Sequence, residues 1–275
     1  MNPLVTIICV CYNHERFVRA AIQSVLDQSH KNIELVVVDD GSTDDSVSVI
    51  RSMNVTLIDL KKNHGYTRAF NEGWKRCKGD LIIDLAGDDE LMPDRVKIGV
   101  EEFLKRDETY GVQFGDAIYM NEDSARLSKH SSRFPNPPQG DIFKELIRRY
   151  FICSPTMMSR RSVLTKLNGY DEALAYEDFD FWIRSSREFK YFYTPEVLVK
   201  KRIVKGSMSD TQFKKGDPQQ LSTYRVCEKI LALNKTTAED RALKERLWYE
   251  IRKSLLRFDI SLASKYYRLL TSLKP

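Results

Sequence analysis

Short apolar runs alternate with segments of helical periodicity over the first 120 residues, and this alternation strongly limits the folds open to the chain. Strands that alternate with helices pair in parallel and are covered on both faces. We therefore predict an α/β fold with a mostly parallel sheet. The predicted strands are 4–10, 33–38, 55–60, 81–85 and 110–119, and the predicted helices are 15–28, 67–75, 93–105 and one that begins at 42–45.

The pattern changes twice further along the chain. Residues 121–140 are polar and contain three prolines, which predicts a long loop, whereas 141–203 return to mixed strand and helix signals. From Pro218 onward the pattern is helical. We predict a main domain over 1–212 and a helical extension over 213–275.

Composition narrows the class of protein. Hydrophobic residues make up 42% and charged residues 30% of the 275-residue chain, as in an ordinary soluble domain. The sequence contains no run of the about 20 apolar residues that a membrane span needs, and its first residues predict a strand rather than a leader peptide. The five cysteines have no metal-ligand spacing. We expect reduced thiols and a cytoplasmic location.

Paired acids follow the predicted strands. Asp39-Asp40 and Asp88-Asp89 each end an apolar run, and Glu177-Asp178 lies further along beside Phe179 and Trp182. Open α/β sheets bind ligands at the carboxyl ends of their strands, and two adjacent carboxylates favour a hard divalent cation. Each pair also has a structural interpretation, as a turn or cap at the start of a helix. For Glu177-Asp178 the functional alternative is a general base.

The turn after the first strand excludes one class of nucleotide site. Cys11-Tyr12-Asn13-His14-Glu15 contains no glycine, so the close pyrophosphate approach of a dinucleotide-binding fold is not available. A P-loop is absent as well. A nucleotide would have to be held in another way.

Six motifs in order resemble those of glycosyltransferase family 2, the inverting GT-A group. The resemblance extends over about residues 3–210. The resemblance implies the GT-A fold, a Rossmann-like mixed and mostly parallel sheet flanked by helices, here with a C-terminal helical extension. The six segments are Val5–Asn13, Ser24–Ser29, Glu34–Asp44, Asn63–Asn71, Lys78–Asp89 and Asn168–Asp178.

The resemblance also implies site residues. Asp88 would contact the ribose or sugar, Asp89 would bind Mn²⁺ or Mg²⁺ at the donor diphosphate, and Asp178 would deprotonate the acceptor hydroxyl. Residues 1–120 would form the nucleotide-sugar-binding part and 121–212 the acceptor and catalytic part. The other implied donor contacts are Val10, Tyr12, Asn13 and Asp40 at the nucleobase and Arg68 at the diphosphate.

Three positions depart from the family pattern. Ala86 stands where the family often has a further acid, and Phe70 replaces the arginine of an Ala-Arg-Asn segment. The stretch from Arg202 to Ser209 lacks the family's histidine. These departures motivate an alternative, a catalytically weak or inactive nucleotide-sugar-binding scaffold. The retention of Asp89 and Asp178 argues against it.

The segment from Arg241 onward carries nine lysines and arginines and three acids, so the net charge of the chain, +5, belongs to this end. It could be a packed helical cap or an amphipathic segment on anionic lipid. A nucleic-acid partner is not expected, because no binding motif accompanies the charge.

The resemblance and this tail together predict a metal-dependent hexosyl- or N-acetylhexosaminyltransferase. It would use a nucleotide-sugar, most simply UDP-linked. The acceptor would be a glycan, carried on polyprenyl diphosphate, in the assembly of bacterial O-antigen or capsule polysaccharide. Residues 240–275 would provide a peripheral contact with the inner face of the cell membrane.

Overall fold

The computed structural model describes residues 2–205 and 217–273. They divide into two compact units. Of the described residues, the first unit takes 2–140, Ile152–Tyr170 and Phe189–Ile203, and the second takes Asp141–Phe151, Asp171–Glu188, 204–205 and 217–273. The predicted domain boundary at residue 212 lies outside the described residues.

The first unit contains one mixed sheet in the order β3-β2-β1-β4-β8-β6-β9-β5, with β7 paired to β6. The pairs β1–β2, β2–β3, β1–β4 and β6–β9 are parallel. The predicted α/β fold is confirmed, and each of the five predicted strands is found to within one residue at either end. The strands are β1 Val5–Cys11, β2 Ile33–Asp39, β3 Thr56–Asp59, β4 Leu81–Ala86, β5 Glu90–Leu91, β6 Tyr110–Met120, β7 Arg126–Lys129, β8 Met158–Arg160 and β9 Lys190–Arg202.

Five α-helices lie among the described residues of the first unit, and two sequence predictions are corrected there. The helix expected from 42–45 begins at Ser46, because those residues form a turn. The loop predicted over 121–140 contains β7 and a 3-10 helix, His130–Ser132, since β7 has a ladder partner in β6 that its polar sequence does not reveal. The helices are α1 Val18–Leu26, α2 Ser46–Ser52, α3 Tyr66–Trp74, α4 Arg95–Leu104 and α6 Arg161–Leu167.

The central strand β1 is buried along its whole length. A strand with parallel neighbours on both sides and helices on both faces is expected to be apolar throughout rather than alternating. Its Val5, Ile7, Cys9 and Cys11 join one core cluster with residues of β4, α1 and α4. Burial raises the pKa of the Cys11 thiol to about 12, as expected for a structural cysteine.

The second unit is helical in its described residues. Thr236 and Glu239 form a capping box at the start of the longest helix. On that helix Leu243, Leu247 and Ile251 are buried, as a packed helical cap predicts. Leu255 and Phe258, which continue the same apolar spacing of three or four residues, are exposed instead. The helices are α5 Phe143–Arg148, α7 Glu177–Ser186, α8 Pro218–Leu233, α9 Thr237–Leu256 and α10 Ile260–Ser272.

None of the helices in the described part of the chain combines the length and the apolar character required to cross a bilayer.

Candidate active site

The order of the first four strands places a crevice at one edge of the sheet. The chain runs from β1 outward through β2 to β3 and then returns to β4 on the other side of β1. Ligands of open α/β sheets bind beyond the carboxyl ends of the strands at such a reversal. Val10 of β1 pairs with Ala86 of β4, and the N–H of Gly87 donates to the Val10 carbonyl at 2.8 Å. The segments after β1 and β4 therefore begin side by side.

Asp89 is a buried carboxyl at this edge of the sheet. Only 2% of it is exposed, and its Oδ1 accepts the backbone N–H of Arg202 at 2.8 Å. Burial, and secondly the negative charge of Asp88, raise the pKa of the Asp89 carboxyl to about 8. Burial and a like charge both penalise an ionised carboxylate, and a bound cation removes that penalty. The site is therefore suited to a divalent cation.

The Arg202 side chain holds the turn that carries both acids. Its Nε donates to the carbonyl of Asp88 at 3.0 Å, and its Nη2 bonds Glu90 at 3.0 Å. Nη1 donates to the carbonyl of Asn121 at 3.1 Å. The end of β9 thus fixes the position of Asp88 and Asp89. No local sequence pattern predicts this role, because Asp88 and Asn121 are 114 and 81 positions away from Arg202 in the chain.

Asp88 is half-buried beside Asp89, and among the residues that the structure describes none donates a hydrogen bond to its carboxylate. Within residues 2–205 and 217–273 no group of three or more His, Cys, Asp or Glu side chains could hold a metal alone. Mg²⁺ and its analogues are usually bound by one or two carboxylates together with substrate phosphates and water. Two acids, one of them buried, fit a cation that arrives with a diphosphate.

Asp40 joins the end of β2 to the segment before α3. Its Oδ1 accepts the N–H of His64 at 2.8 Å, and its Oδ2 accepts the N–H of Gly65 at 2.9 Å. Burial raises the pKa of Asp40 above its usual value, and these two bonds oppose the rise. Gly41 has a φ of +74°, and a Cβ there would lie 2.4 Å from the backbone of Lys62. The segment before α3 can therefore lie this close to position 41 only if that position is glycine.

Asp39, the first residue of the Asp39-Asp40 pair, has the structural role in a turn that the sequence offered as one interpretation. Its carboxylate accepts the N–H of Ser42 at 2.8 Å and the Ser42 hydroxyl at 2.5 Å. Asn13 follows β1 in the left-handed region, with a φ of +55°, and its Oδ1 accepts the N–H of Thr43 at 2.8 Å. The segments after β1 and β2 are thus hydrogen-bonded to each other.

The residues implied for the nucleobase differ in exposure. The Tyr12 ring is 41% exposed at the sheet edge, whereas the Val10 side chain is buried in the core. His14, which the sequence did not single out, has a buried Nδ1 without a hydrogen-bond partner among the described residues. A Cβ on Gly87 would lie 2.9 Å from this nitrogen, so the His14 ring occupies the space that any side chain at position 87 would need.

Arg68 and Phe70 lie on opposite faces of α3. Arg68 is exposed, whereas Phe70 is buried and stacks on Tyr170 with ring centroids 4.3 Å apart. The hydroxyls of Tyr66 and Tyr170 donate to the two carboxylate oxygens of Asp84 on β4, at 2.6 and 2.8 Å. Sequence reasoning missed this Asp84 cluster, because its members are distant along the chain.

Asp178 belongs to the second unit, where it is the second residue of α7 and half-buried. The segment that leads to α7 is held by one face of α8. Lys229 bonds Asp171 at 2.6 Å, and it also reaches Asp180 of α7 at 2.5 Å. Ser222 accepts the N–H of Ala175 at 2.9 Å. The structure thus places Tyr12, Asn13, Asp40, Asp88 and Asp89 at the same edge of the first unit. The assignments of Arg68 to the diphosphate and of Asp178 as a base stay predictions.

A family model described as glycosyl transferase family 2 matches residues 6–167, more than half of the chain. The chain belongs to glycosyltransferase family 2. The resemblance seen in the motifs is thereby confirmed, and the matched residues include every donor-site candidate named above.

Curated bacterial relatives agree with this assignment. A glycosyltransferase of Rickettsia typhi is 29% identical over 218 residues, which is 76% of this chain and 67% of the relative. EpsE of Bacillus subtilis, named as a glycosyltransferase, is 28% identical and covers 83% of this chain and 84% of its own. TuaG of the same species, named as a teichuronic acid biosynthesis glycosyltransferase, is 24% identical and covers 90% and 98%.

Solved structures show the same fold. TarS 1-349 of S. aureus, in complex with UDP-GlcNAc, superposes with a TM-score of 0.74 at 16% identity, over 98% of this chain and 80% of that chain. The mannosyltransferase PcManGT of Pyrobaculum calidifontis, in complex with GDP-Man and Mn²⁺, gives a TM-score of 0.61 at 15% identity, over 98% and 84%. The predicted GT-A fold is confirmed.

Two of the departures from the family pattern now have a location. Ala86 ends β4 opposite Val10, where the chain loses one of the family's acids. Phe70, which stands where the family often has an arginine, is buried and stacks on Tyr170. Arg68 does not take over that position on α3, because it lies on the other face. The third departure falls partly on residues 206–209, outside the described residues.

Proposed function

We propose that this glycosyltransferase transfers a sugar from a nucleoside diphosphate sugar, UDP-linked, to a hydroxyl of a glycan acceptor, with inversion at the anomeric carbon. The observation that carries the proposal is the position of Asp88 and Asp89 at the end of β4, directly beside the segment that follows β1. Two solved relatives of the fold support a nucleotide-sugar donor, since they are complexes with UDP-GlcNAc and with GDP-Man. Both a hexosyl and an N-acetylhexosaminyl donor agree with these complexes.

In this proposal the first unit holds the donor. The nucleobase and ribose lie along the edge formed by Tyr12, Asn13 and the segment that Asp40 docks, with Val10 beneath them. Asp88 contacts the sugar or ribose, and Asp89 is the protein ligand for Mn²⁺ or Mg²⁺. Such a cation offsets the charge that develops on the leaving diphosphate. The Mn²⁺ in the mannosyltransferase complex supports this assignment.

The exposed Arg68 at the start of α3 is proposed as a diphosphate contact. Its guanidinium can reach a phosphate from the solvent face of the helix, whereas the buried Phe70 cannot provide a charge.

Asp178 is proposed as the general base. It takes the proton of the acceptor hydroxyl as the oxygen attacks the anomeric carbon, and the bond to the diphosphate oxygen breaks on the opposite face. Acidic groups in the first turn of a helix are favoured as carboxylates by the helix dipole, and Asp178 lies in the first turn of α7.

We place the reaction in the assembly of a bacterial surface polysaccharide, on an acceptor carried by a polyprenyl diphosphate at the inner face of the cell membrane. The name of TuaG, which refers to teichuronic acid biosynthesis, supports this setting. The basic C-terminal segment supports a peripheral contact with anionic lipid.

A panel of nucleotide-sugars tests the donor. With Mn²⁺ present, calorimetry should detect a UDP-sugar that binds the wild-type chain, and the same donor should be hydrolysed slowly without acceptor. A preference for GDP-sugars would contradict the UDP assignment.

Asp178→Asn tests the base. Sugar transfer should fall by about 10²–10⁴-fold while binding of UDP and Mn²⁺ is retained. Glu101→Gln, an exposed acid on α4, is the matched control and should act as the wild type. Joint loss of transfer and binding would make Asp178 structural, and a wild type that binds donors without any turnover would favour a scaffold.

A further inference from the structure

Exposed apolar side chains are concentrated at the junction of α9 and α10. Thirteen large apolar residues are exposed in the described part of the chain, and seven of them lie between 248 and 267. At the junction itself Leu256 is 76%, Phe258 80% and Ile260 67% exposed. Single exposed apolar residues are normal, but a contiguous group marks a surface that another molecule covers. We call residues 255–260 the α9–α10 corner.

The backbone of the corner is well defined. The N–H of Phe258 donates to the carbonyl of Leu255 at 3.0 Å, and the N–H of Asp259 donates to the carbonyl of Ser254 at 2.9 Å. These two bonds form a Schellman motif that ends α9. Asp259 then caps α10 by accepting the N–H of Leu262 at 3.0 Å. The apolar side chains are therefore presented on a closed, hydrogen-bonded turn.

Phe258 occupies the position in this motif that usually holds glycine. Its φ is +57°, a left-handed conformation that a side chain as large as phenylalanine disfavours. The ring gains little packing within the protein in return, since most of it is exposed. A strained and exposed aromatic residue on the tip of a turn is explained if the ring packs against something outside the chain.

The exposed face of α9 changes character toward the corner. Arg241, Lys244 and Glu245 begin it, Trp248 and Tyr249 follow, and Leu255 and Leu256 end it. From Trp248 to Leu256 the helix rises about 12 Å. Aromatic residues with a polar edge favour the headgroup level of a bilayer, and aliphatic residues favour the region beneath it. The change from charged to aromatic to aliphatic residues along α9 therefore fits a helix whose C-terminal end, at the α9–α10 corner, lies deepest in the bilayer surface.

The charges around the corner favour an anionic surface. One acid lies between 251 and 273, and it is Asp259, the cap of α10. Arg252 is exposed on α9 between Trp248 and Leu256, where its stem can lie along lipid while its guanidinium stays at the headgroups. A second copy of the chain facing this surface would bring like charges together, which opposes self-association. The basic residues between 251 and 273 are Arg252, Lys253, Arg257, Lys265 and Arg268.

We propose that the α9–α10 corner inserts into an anionic lipid bilayer, with Leu256, Phe258 and Ile260 in the acyl boundary and the basic residues at the phosphates. The proposal deepens the proposed function and rests on it for the acceptor, because it names the element that would bring the enzyme to a lipid-linked glycan. Vesicle binding itself does not depend on that function. The buried stripe of α9 takes no part, since Leu243 and Leu247 pack inside the second unit.

Vesicle sedimentation of the full chain tests the corner. The wild type should bind vesicles of phosphatidylcholine and phosphatidylglycerol and should bind phosphatidylcholine alone weakly. For the triple variant Leu256→Ser, Phe258→Ser, Ile260→Ser we expect the affinity for the anionic vesicles to fall by at least about tenfold. The matched control changes three apolar residues that are exposed elsewhere and should bind as the wild type. These are Leu26→Ser, Leu104→Ser and Leu127→Ser.

A second variant separates binding from stability. Phe258→Gly relieves the left-handed strain, so the protein should unfold at the same or a higher temperature while its vesicle affinity falls severalfold. Arg252→Gln with Lys265→Gln should weaken binding to the anionic vesicles and reduce its salt dependence.

Three results would overturn the proposal. They are equal binding by the wild type and the triple variant, no binding of the wild type to anionic vesicles, and a wild-type dimer in light scattering that the triple variant loses. A wild type that binds vesicles but transfers no sugar would instead contradict the proposed function. A wild type that transfers sugar to a soluble acceptor but does not bind vesicles would contradict the membrane role of the α9–α10 corner and leave the proposed function intact.

Discussion

The backbone N–H of Arg202 lies 2.8 Å from Oδ1 of Asp89, while the Arg202 side chain bonds Glu90 and the carbonyl of Asp88. One buried arginine at the end of β9 therefore fixes the turn that carries the candidate metal ligand. Because Asp89 and Arg202 are 113 residues apart, this arrangement exists only in the folded sheet.

Arg202→Met should destabilise the protein by about 1–3 kcal/mol, because Glu90 keeps only its bond to Lys200 and the carbonyls of Asp88 and Asn121 lose the Arg202 donor. Arg16→Met removes an exposed ion pair with Glu122 and is expected to cost less than about 1 kcal/mol. Urea unfolding of the two variants measures the difference. Similar losses for both would show that the Arg202 contacts do not stabilise the turn.

Gly41→Ala should weaken UDP binding. The added Cβ would meet the Lys62 backbone at 2.4 Å and would push away the segment whose N–H groups bond Asp40. Gly140→Ala is the control, since Gly140 also has a positive φ but open space around the missing Cβ. Both variants should lose about 1–2 kcal/mol of stability from backbone strain. Calorimetry should show weaker UDP binding for Gly41→Ala alone.

Manganese binding should strengthen with pH. The pKa of Asp89 is raised to about 8, so below that pH the metal-free carboxyl holds a proton that the cation must displace. Affinity should fall about tenfold for each pH unit below the pKa. Titrations between pH 6 and 9, set by the pKa of about 8, measure the slope. Asp89→Asn should bind weakly at every pH, and a wild-type affinity that is independent of pH would contradict the assignment.

The raised pKa of Asp89 should also make the free energy of unfolding depend on pH. A carboxyl whose pKa is raised in the folded state binds a proton that the unfolded chain has already released. The metal-free protein should therefore become less stable as the pH rises from about 4 to about 8, and Mn²⁺ should offset that loss. Thermal unfolding at several pH values, with and without Mn²⁺, measures both effects.

Lys229→Met should slow transfer without weakening donor binding. Lys229 joins Asp171 to the buried Asp180, and these acids lie on either side of Asp178 in the chain. Its loss should cost about 1–3 kcal/mol of stability and loosen the segment that leads to α7. Lys229→Arg should restore part of the activity, whereas Lys97→Met, an exposed change on α4, should have no effect. Unchanged kinetics in Lys229→Met would show that α8 does not position α7.

The fold and the donor edge were predictable from local patterns. Strand and helix periodicities identify β1 to β4 with the helices between them, and parallel pairing places their carboxyl ends together. The chain order then brings the segment after β1 beside Asp88. Motif order completed the family assignment, which the family model confirms.

Other features depend on contacts between distant residues. Three such features are the tyrosine hydroxyls that bond Asp84, the bonds of Arg202 to the turn at Asp88 and Glu90, and the pairing of β7 with β6. Each joins segments that no local pattern relates. The apolar residues of α9 are a further case in which the sequence pattern does not predict burial. Leu243 and Leu255 share one periodicity, but packing buries the first and leaves the second exposed.

The sequence by itself determined the α/β class, the family and the acids at the sheet edge, because periodicity and strand-end chemistry are local properties. Tertiary structure decided that Asp89 is buried with a raised pKa, that Asp40 docks a segment, and that the α9–α10 corner stays uncovered. Burial and electrostatic perturbation depend on neighbours that only the folded chain brings within a few ångströms.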